Sequence, residues 1–218
     1  PYGDAIMEEL IPFIEEHFRV IRKPYARVLS GGSTGGWVSL ALQIFHPGFF
    51  GGTWSSCPDS VTFNWFEPVN VYEEKNAYYK EYEWKKVDRP GTRDINGQVL
   101  NSRRDVYYYE LTMGDKSRSC ENQGAFEAVY SPIAEDGYPK PLWNWLTGDI
   151  DRAVAEYWKE NYDLCHYLEK NWSNIGPELV GKLHVYVGEM DTWYLNNGVV
   201  LLQKFLERHN AERDVFHD

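Results

Sequence analysis

The sequence predicts an α/β protein with a mostly parallel sheet, flanking helices and a large aromatic-rich insertion. Residues 1–59 alternate helical and β-prone runs, which is typical of parallel strands joined by helices. The same alternation returns over 149–218, whereas residues 60–148 keep no regular period and are too long for an ordinary connection. We therefore expect an α/β core formed by 1–59 and 149–218, with 60–148 as an inserted lid.

The first predicted elements are a helix, a strand, a second helix and a second strand. Asp4 is placed to cap the first helix, and Pro12 should bend or restart it. A β-prone run covers 27–30, and an apolar helical run covers 37–45. The run 51–57 reads as another buried strand, so these elements form one α/β unit.

The last predicted elements repeat this alternation. An amphipathic helix is predicted over 151–170 and a strand over 183–187. A helix over 196–209 and a strand over 214–217 follow. With the two earlier strands, this gives a sheet of four.

Composition excludes several classes of function. A net charge of −11 argues against a nucleic-acid surface, which needs clustered Lys and Arg. No apolar run has membrane length, and Cys57, Cys120 and Cys165 form neither a disulfide framework nor a metal-ligand spacing. Nine Trp and sixteen Tyr suit either a rim for sugars or aromatic acyl groups, or a core for the insertion, and the sequence leaves both open.

The run Gly31-Gly32-Ser33-Thr34-Gly35 matches the G-x-S-x-G nucleophile elbow. A strand is predicted before it and a helix after it, which is the context that the motif requires. Such a turn strains the central serine and exposes its hydroxyl at the positive end of a helix. We expect the flanking glycines to leave room where a Cβ would collide. The alternative is a glycine-rich connection; a phosphate loop is disfavoured because no Gly-Lys-Ser/Thr follows.

A serine nucleophile needs a histidine base, and the histidine needs a carboxylate to hold its tautomer. Asp191 follows the strand 183–187 and is the preferred acid. It could instead cap the next helix, and Asp59, which follows the strand 51–57, is the alternative acid. His217 is the candidate base within the chain, although it falls in the last predicted strand.

Segments 1–18, 26–37, 54–59 and 188–195 together resemble the putative esterase family, which is related to esterase D and the enterochelin esterases among the α/β-hydrolases. The resemblance implies a partial α/β-hydrolase fold with Ser33 as nucleophile and Asp191 as acid.

The resemblance also implies parts that this sequence lacks. Family members carry strands before the first helix, including a loop that supplies one oxyanion-hole amide, which leaves the Thr34 amide as the one assignable donor. They place the base in a loop after the last strand, so it is either His217 or a residue beyond Asp218. We expect the chain to be part of a longer protein, or to be completed by another chain.

The leading hypothesis is hydrolysis of a small carboxylic ester through an acyl-enzyme on Ser33, with no cofactor and no metal. Transfer of the acyl group to a sugar or alcohol would use the same residues. The alternative is a non-catalytic protein of hydrolase fold that binds a carbohydrate or a partner chain. Trp193 and Tyr194 are candidate substrate contacts, whereas Trp37 is better explained by core packing. The sequence decides neither the oligomeric state nor the cellular compartment. A secreted and a periplasmic protein are both compatible with it.

Overall fold

The computed structural model describes residues 2–209 and 214–217, the last four through their backbone alone. The strands are β1 (Val28–Gly32), β2 (Gly52–Ser56), β3 (Tyr79–Tyr82), β4 (Lys85–Asp88), β5 (Pro90–Arg93), β6 (Val99–Ser102), β7 (Leu183–Val187) and β8 (Asp214–His217). The α-helices are α1 (Tyr2–Ala5), α2 (Ile11–His17), α3 (Thr34–Phe45), α4 (Arg103–Met113), α5 (Asn122–Tyr130), α6 (Arg152–Tyr162), α7 (Leu164–Leu179) and α8 (Asn196–Arg208).

The central sheet has four parallel strands in the order β1-β2-β7-β8. Gly32 pairs with Ser56, and Ser56 pairs with Tyr186, so the first three strands end at the same edge. The segments after β1, β2 and β7 leave the sheet at this edge, where ligand sites of parallel α/β sheets form. The predicted mostly parallel sheet is confirmed.

Helix α3 packs against both the sheet and the segment 60–148. Its buried side chains include Trp37, Leu40 and Ile44. They belong to one hydrophobic cluster with Phe63 and Tyr130, which lie within residues 60–148. The predicted core and the predicted insertion are therefore packed around the same apolar interior.

Residues 60–148, called the insertion below after their predicted role, contain more regular structure than their sequence indicated. The insertion consists of the antiparallel pairs β3–β4 and β5–β6 and the helices α4 and α5. Six large aromatic side chains of this segment are at most 3% exposed, namely Phe63, Phe66, Tyr78, Tyr107, Tyr130 and Trp143. Much of the aromatic content of the insertion is therefore core, although Trp84 is 78% exposed. No helix among the described residues has the length and apolar character of a membrane span.

Two predicted helices differ from those observed. The helix expected over 151–170 is two helices, α6 and α7, which meet at Asp163. The Asp163 carboxylate accepts the His166 amide, capping α7, and also accepts the Thr62 hydroxyl and the Tyr72 hydroxyl. These contacts fix the boundary between the two helices, which helical periodicity cannot reveal.

At the start of the chain, Asp4 lies inside α1 and is not its cap. A π-helical turn, Ile6–Leu10, precedes α2, which restarts at Ile11 immediately before Pro12. The expected effect of Pro12 is confirmed, because a proline is accommodated in the first turn of a helix.

Candidate active site

The backbone of Ser33 has the strained conformation that a nucleophile elbow requires. Its φ is +54° and its ψ is −124°, between the end of β1 and the start of α3. The Ser33 amide donates to the Ser56 carbonyl at 3.0 Å, and the Ser33 carbonyl accepts the Trp37 amide at 3.1 Å. These bonds to β2 and α3 hold the unfavourable conformation, and the Ser33 side chain is exposed.

Glycine is needed at some positions of the elbow and not at others. A Cβ on Gly31 would lie 2.1 Å from the Gly35 carbonyl oxygen, and one on Gly36 would lie 3.0 Å from the Ser56 carbonyl oxygen. A Cβ on Gly35 would meet nothing within 4 Å, and one on Gly32 would be in ordinary contact at 3.8 Å. The expected steric role is confirmed for Gly31 and wrong for Gly35, because Gly36 is the helix residue that faces β2.

Asp59 contacts the nucleophile directly. The Ser33 hydroxyl donates to Asp59 Oδ1 at 3.3 Å, and the Thr34 hydroxyl donates to Asp59 Oδ2 at 2.6 Å. The Asp59 amide also donates to the Ser33 carbonyl at 3.3 Å. Cys57, with a φ of +44°, forms the turn that brings Asp59 back from the end of β2.

The Asp59 carboxyl is 4% exposed, and this burial raises its pKa above the ordinary value. The hydrogen bonds from Thr34 and Ser33 oppose the rise, while the charge of Asp191 adds to it. Asp191 is therefore close enough to act on Asp59 electrostatically. Ser33, Thr34, Asp59 and Asp191 form one group at the edge of the sheet.

Asp191 lies in the turn between β7 and α8. Its Oδ1 accepts the amides of Trp193 and Leu195, each at 2.9 Å. The alternative expectation, that Asp191 caps a helix starting right after it, is wrong, because α8 begins at Asn196 and its N-cap residue is Leu195. The second oxygen of Asp191, Oδ2, has no hydrogen bond within residues 2–209, so one oxygen orders the turn and the other is left for a further partner.

No histidine of the described part of the chain donates to or accepts from Ser33. His17 stacks on Phe13, His166 pairs with Glu160, His184 stacks on Trp54, and His209 bonds the Phe205 carbonyl; His46 ends α3. The backbone of His217, the predicted base, pairs with Val187 in β8. Its side chain lies outside the described residues, so its role stays a prediction.

The aromatic residues near the elbow differ in their surroundings. Trp37 is 9% exposed and packs against Tyr130 with ring centroids 5.4 Å apart, which is the core role expected for it. Trp193 and Tyr194 are half-buried in the Asp191 turn, and Tyr194 has a φ of +64°. The Arg93 guanidinium lies 4.3 Å from the Tyr194 ring centroid. No pattern in the sequence pointed to Arg93.

A cavity of about 780 Å³ lies in the insertion, away from this group. Its lining includes Glu127, Tyr138 and Trp145, and it includes none of the four residues grouped at the sheet edge. Within the described residues, no cluster of three or more His, Cys, Asp or Glu side chains could hold a metal ion.

Residues 1–99 match the family model described as Putative esterase. The match covers slightly less than half of the chain and supports the predicted resemblance to this family. The matched segment contains the elbow, Asp59 and the β5 hairpin residue Arg93. No curated protein matches the chain in sequence.

Among solved structures, a ferulic acid esterase matches with a TM-score of 0.50 and 12% identity, over 99% of this chain and 51% of that one. The substrate-bound fluorophosphonate-binding serine hydrolase F, FphF, of Staphylococcus aureus matches with a TM-score of 0.46 and 12% identity, over 99% and 55%. The chain thus spans about half the length of both proteins. At this identity the likeness to the ferulic acid esterase establishes the fold and confirms the predicted fold class.

Proposed function

We propose that this chain carries the nucleophile and the acid of a serine hydrolase that cleaves small carboxylic esters. The backbone conformation of Ser33 carries the proposal. A φ of +54° at a strand-to-helix turn is costly, and such strain persists where the surrounding structure imposes it at a functional position. The match of residues 1–99 to the putative esterase family model supports the same reaction.

In the proposed reaction, Ser33 Oγ attacks the ester carbonyl while a histidine removes its proton. The carbonyl oxygen becomes an oxyanion next to the N-terminus of α3, where the Thr34 amide would stabilise it. The alcohol leaves with that proton, and water then hydrolyses the acyl-enzyme. His217, or a residue beyond Asp218, would supply the imidazole.

Asp191 is a better candidate for the acid of this triad than Asp59. A triad carboxylate bonds the far nitrogen of the histidine and does not touch the serine. Asp59 bonds both Ser33 and Thr34, which leaves no space for an imidazole between it and the nucleophile. Asp191 Oδ2 has no partner in residues 2–209. We therefore assign Asp59 to holding the elbow.

The test is hydrolysis of p-nitrophenyl acetate by the natural protein at full length. Ser33→Ala should lower kcat by at least about 10⁴-fold, because the acyl-enzyme cannot form. Ser30→Ala is the matched control, since Ser30 is an exposed serine in β1, the strand that leads to Ser33. Hydrolysis that survives Ser33→Ala would contradict the proposal.

The contact between Ser33 and Asp59 also supports the non-catalytic alternative, in which the protein binds a carbohydrate or a partner chain. In the described residues the serine hydroxyl bonds a carboxyl and no imidazole. A full-length protein that neither hydrolyses esters nor forms an adduct on Ser33 would favour this alternative.

A further inference from the structure

The last residue of β5, Arg93, binds the turn that carries Asp191. Its Nε donates to the Asp191 carbonyl at 3.0 Å, and its Nη2 donates to the Glu189 carbonyl at 3.0 Å and to Asn196 Oδ1 at 3.1 Å. The Arg93 amide donates to the Thr192 carbonyl at 3.0 Å. One residue of the insertion thus makes four hydrogen bonds to the segment 189–196.

A cation–π contact adds to these bonds. The Arg93 guanidinium lies over the Tyr194 ring, 4.3 Å from its centroid. Tyr194 has a φ of +64°, which is unfavourable for a residue with a Cβ and needs support from its surroundings. A planar guanidinium can stack on a ring and donate along its edge at the same time, which an ammonium cannot do.

The β5–β6 hairpin, which carries Arg93, is itself held by close contacts. The β5–β6 pair joins Pro90 to Ser102, and the Thr92 amide donates to Asn101 Oδ1 at 2.9 Å. A Cβ on Gly91 would lie 2.7 Å from the Ser102 carbonyl oxygen, so the two strands approach closely. The hairpin can therefore hold the guanidinium in one place.

We propose that Arg93 is a positioning residue for Asp191, through which the insertion fixes the catalytic acid. The Asp191 carboxylate takes its orientation from the Trp193 and Leu195 amides. Arg93 holds the carbonyls of Glu189, Asp191 and Thr192, and the Thr192 carbonyl belongs to the same peptide group as the Trp193 amide. The inference rests on the proposed role of Asp191 as the acid.

Hydrogen exchange tests the positioning without any need for activity. In the full-length protein, Arg93→Ala should speed exchange of peptide 188–196 by about tenfold, the effect of losing about 1.4 kcal/mol of hydrogen bonding. Arg118→Ala is the matched control, because Arg118 also lies in the insertion and over a tyrosine ring but bonds its own turn. Unchanged protection of 188–196, or loss of protection throughout the chain, would overturn the inference.

A double-mutant comparison tests the link to catalysis with p-nitrophenyl acetate. Arg93→Ala should lower kcat by about 100-fold with little change in KM, and Arg93→Lys should recover part of the loss. Arg93→Ala combined with Asp191→Asn should have the kcat of Asp191→Asn alone. Losses that multiply, or a full kcat in Arg93→Ala, would overturn the inference alone. A full kcat in Asp191→Asn would overturn the proposed acid and the inference together.

Discussion

The edge of the sheet and the interior of the insertion differ in how far their key polar side chains are exposed to solvent. At the sheet edge, Ser33 is exposed and is held by backbone strain and by bonds to neighbouring main chain. In the insertion, Arg103 and Glu67 form an ion pair and are at most 2% exposed. The first region presents the proposed nucleophile to solvent, while the second contains a buried ion pair within a loop-rich segment.

Aromatic rings and a glutamine side chain surround the buried guanidinium of Arg103. The Arg103 guanidinium lies 5.1 to 5.6 Å from the centroids of three aromatic rings, those of Phe66, Tyr107 and Trp143. Its Nη2 donates to Gln123 Oε1 at 3.2 Å. Removal of either partner would leave the other charge buried and unpaired, which is costly.

The largest expected effect falls on the sheet edge. In the full-length protein, Asp191→Asn should lower kcat by about 10⁴-fold, because an amide cannot hold the histidine in its reactive tautomer. Glu189→Gln, two residues earlier in the same turn and exposed, is the control and should keep its activity. Steady-state hydrolysis of p-nitrophenyl acetate measures both, and equal effects of the two substitutions would contradict the assignment of Asp191.

The second prediction concerns the interior of the insertion. Arg103→Met should lower the free energy of unfolding by about 4 kcal/mol, because Glu67 is left buried without its partner. Arg104→Met is the matched control, since its pair with Asp88 is largely exposed, and it should cost less than about 1 kcal/mol. Urea denaturation measures both, and equal losses would show that burial of the ion pair has no special weight.

The third prediction separates two glycines of the elbow. Gly31→Ala should cost about 3 kcal/mol or more, because its Cβ would lie 2.1 Å from the Gly35 carbonyl oxygen. Gly35→Ala should change stability by less than about 1 kcal/mol, because its Cβ would meet open space at a helical position. Thermal unfolding measures the stability of the two variants. A larger loss in Gly35→Ala than in Gly31→Ala would contradict the described elbow.

The fourth prediction is a pH dependence that arises in the insertion. Burial raises the pKa of Glu127 from 4.5 to about 7, against the lowering effect of bonds from the Trp145 indole and the Leu142 amide. The folded protein therefore holds this proton more tightly than the unfolded chain, so stability falls as pH rises from 4.5 through about 7.

Glu127→Gln keeps the acceptor oxygen and removes the ionisation. It should raise stability at pH 8 by about 3 kcal/mol and have little effect at pH 4. Glu135→Gln, at an exposed position of the same segment, is the control. Urea denaturation across this pH range measures the difference, and a constant gap between wild type and Glu127→Gln would contradict the raised pKa.

Elements that depend on local patterns could be predicted from the sequence. The elbow and the strands β7 and β8 follow from local patterns, and the structure has β7 at its predicted bounds and β8 at its predicted start. The helix α4 carried a usable signal as well, the capping box of Ser102 and Asp105, whereas the run of tyrosines after it fits a helix or a strand.

Contacts between distant segments had no local signal. Asp59 reaches Ser33 through a turn at Cys57 whose positive φ is not encoded by a glycine. Arginines are usually exposed, so neither the burial of Arg103 nor the bonds from Arg93 to the Asp191 turn follow from their neighbours in sequence. These features depend on how the insertion packs against the sheet.

Covalent labelling of the full-length protein by a fluorophosphonate, followed by mass spectrometry of the peptide that contains the elbow, tests the central claim most directly. We expect one adduct, on Ser33, that is absent in Ser33→Ala and retained in Ser30→Ala. We also expect slower labelling in Asp191→Asn, because the base would be misplaced. An unlabelled Ser33, or an adduct that persists in Ser33→Ala, would contradict that claim.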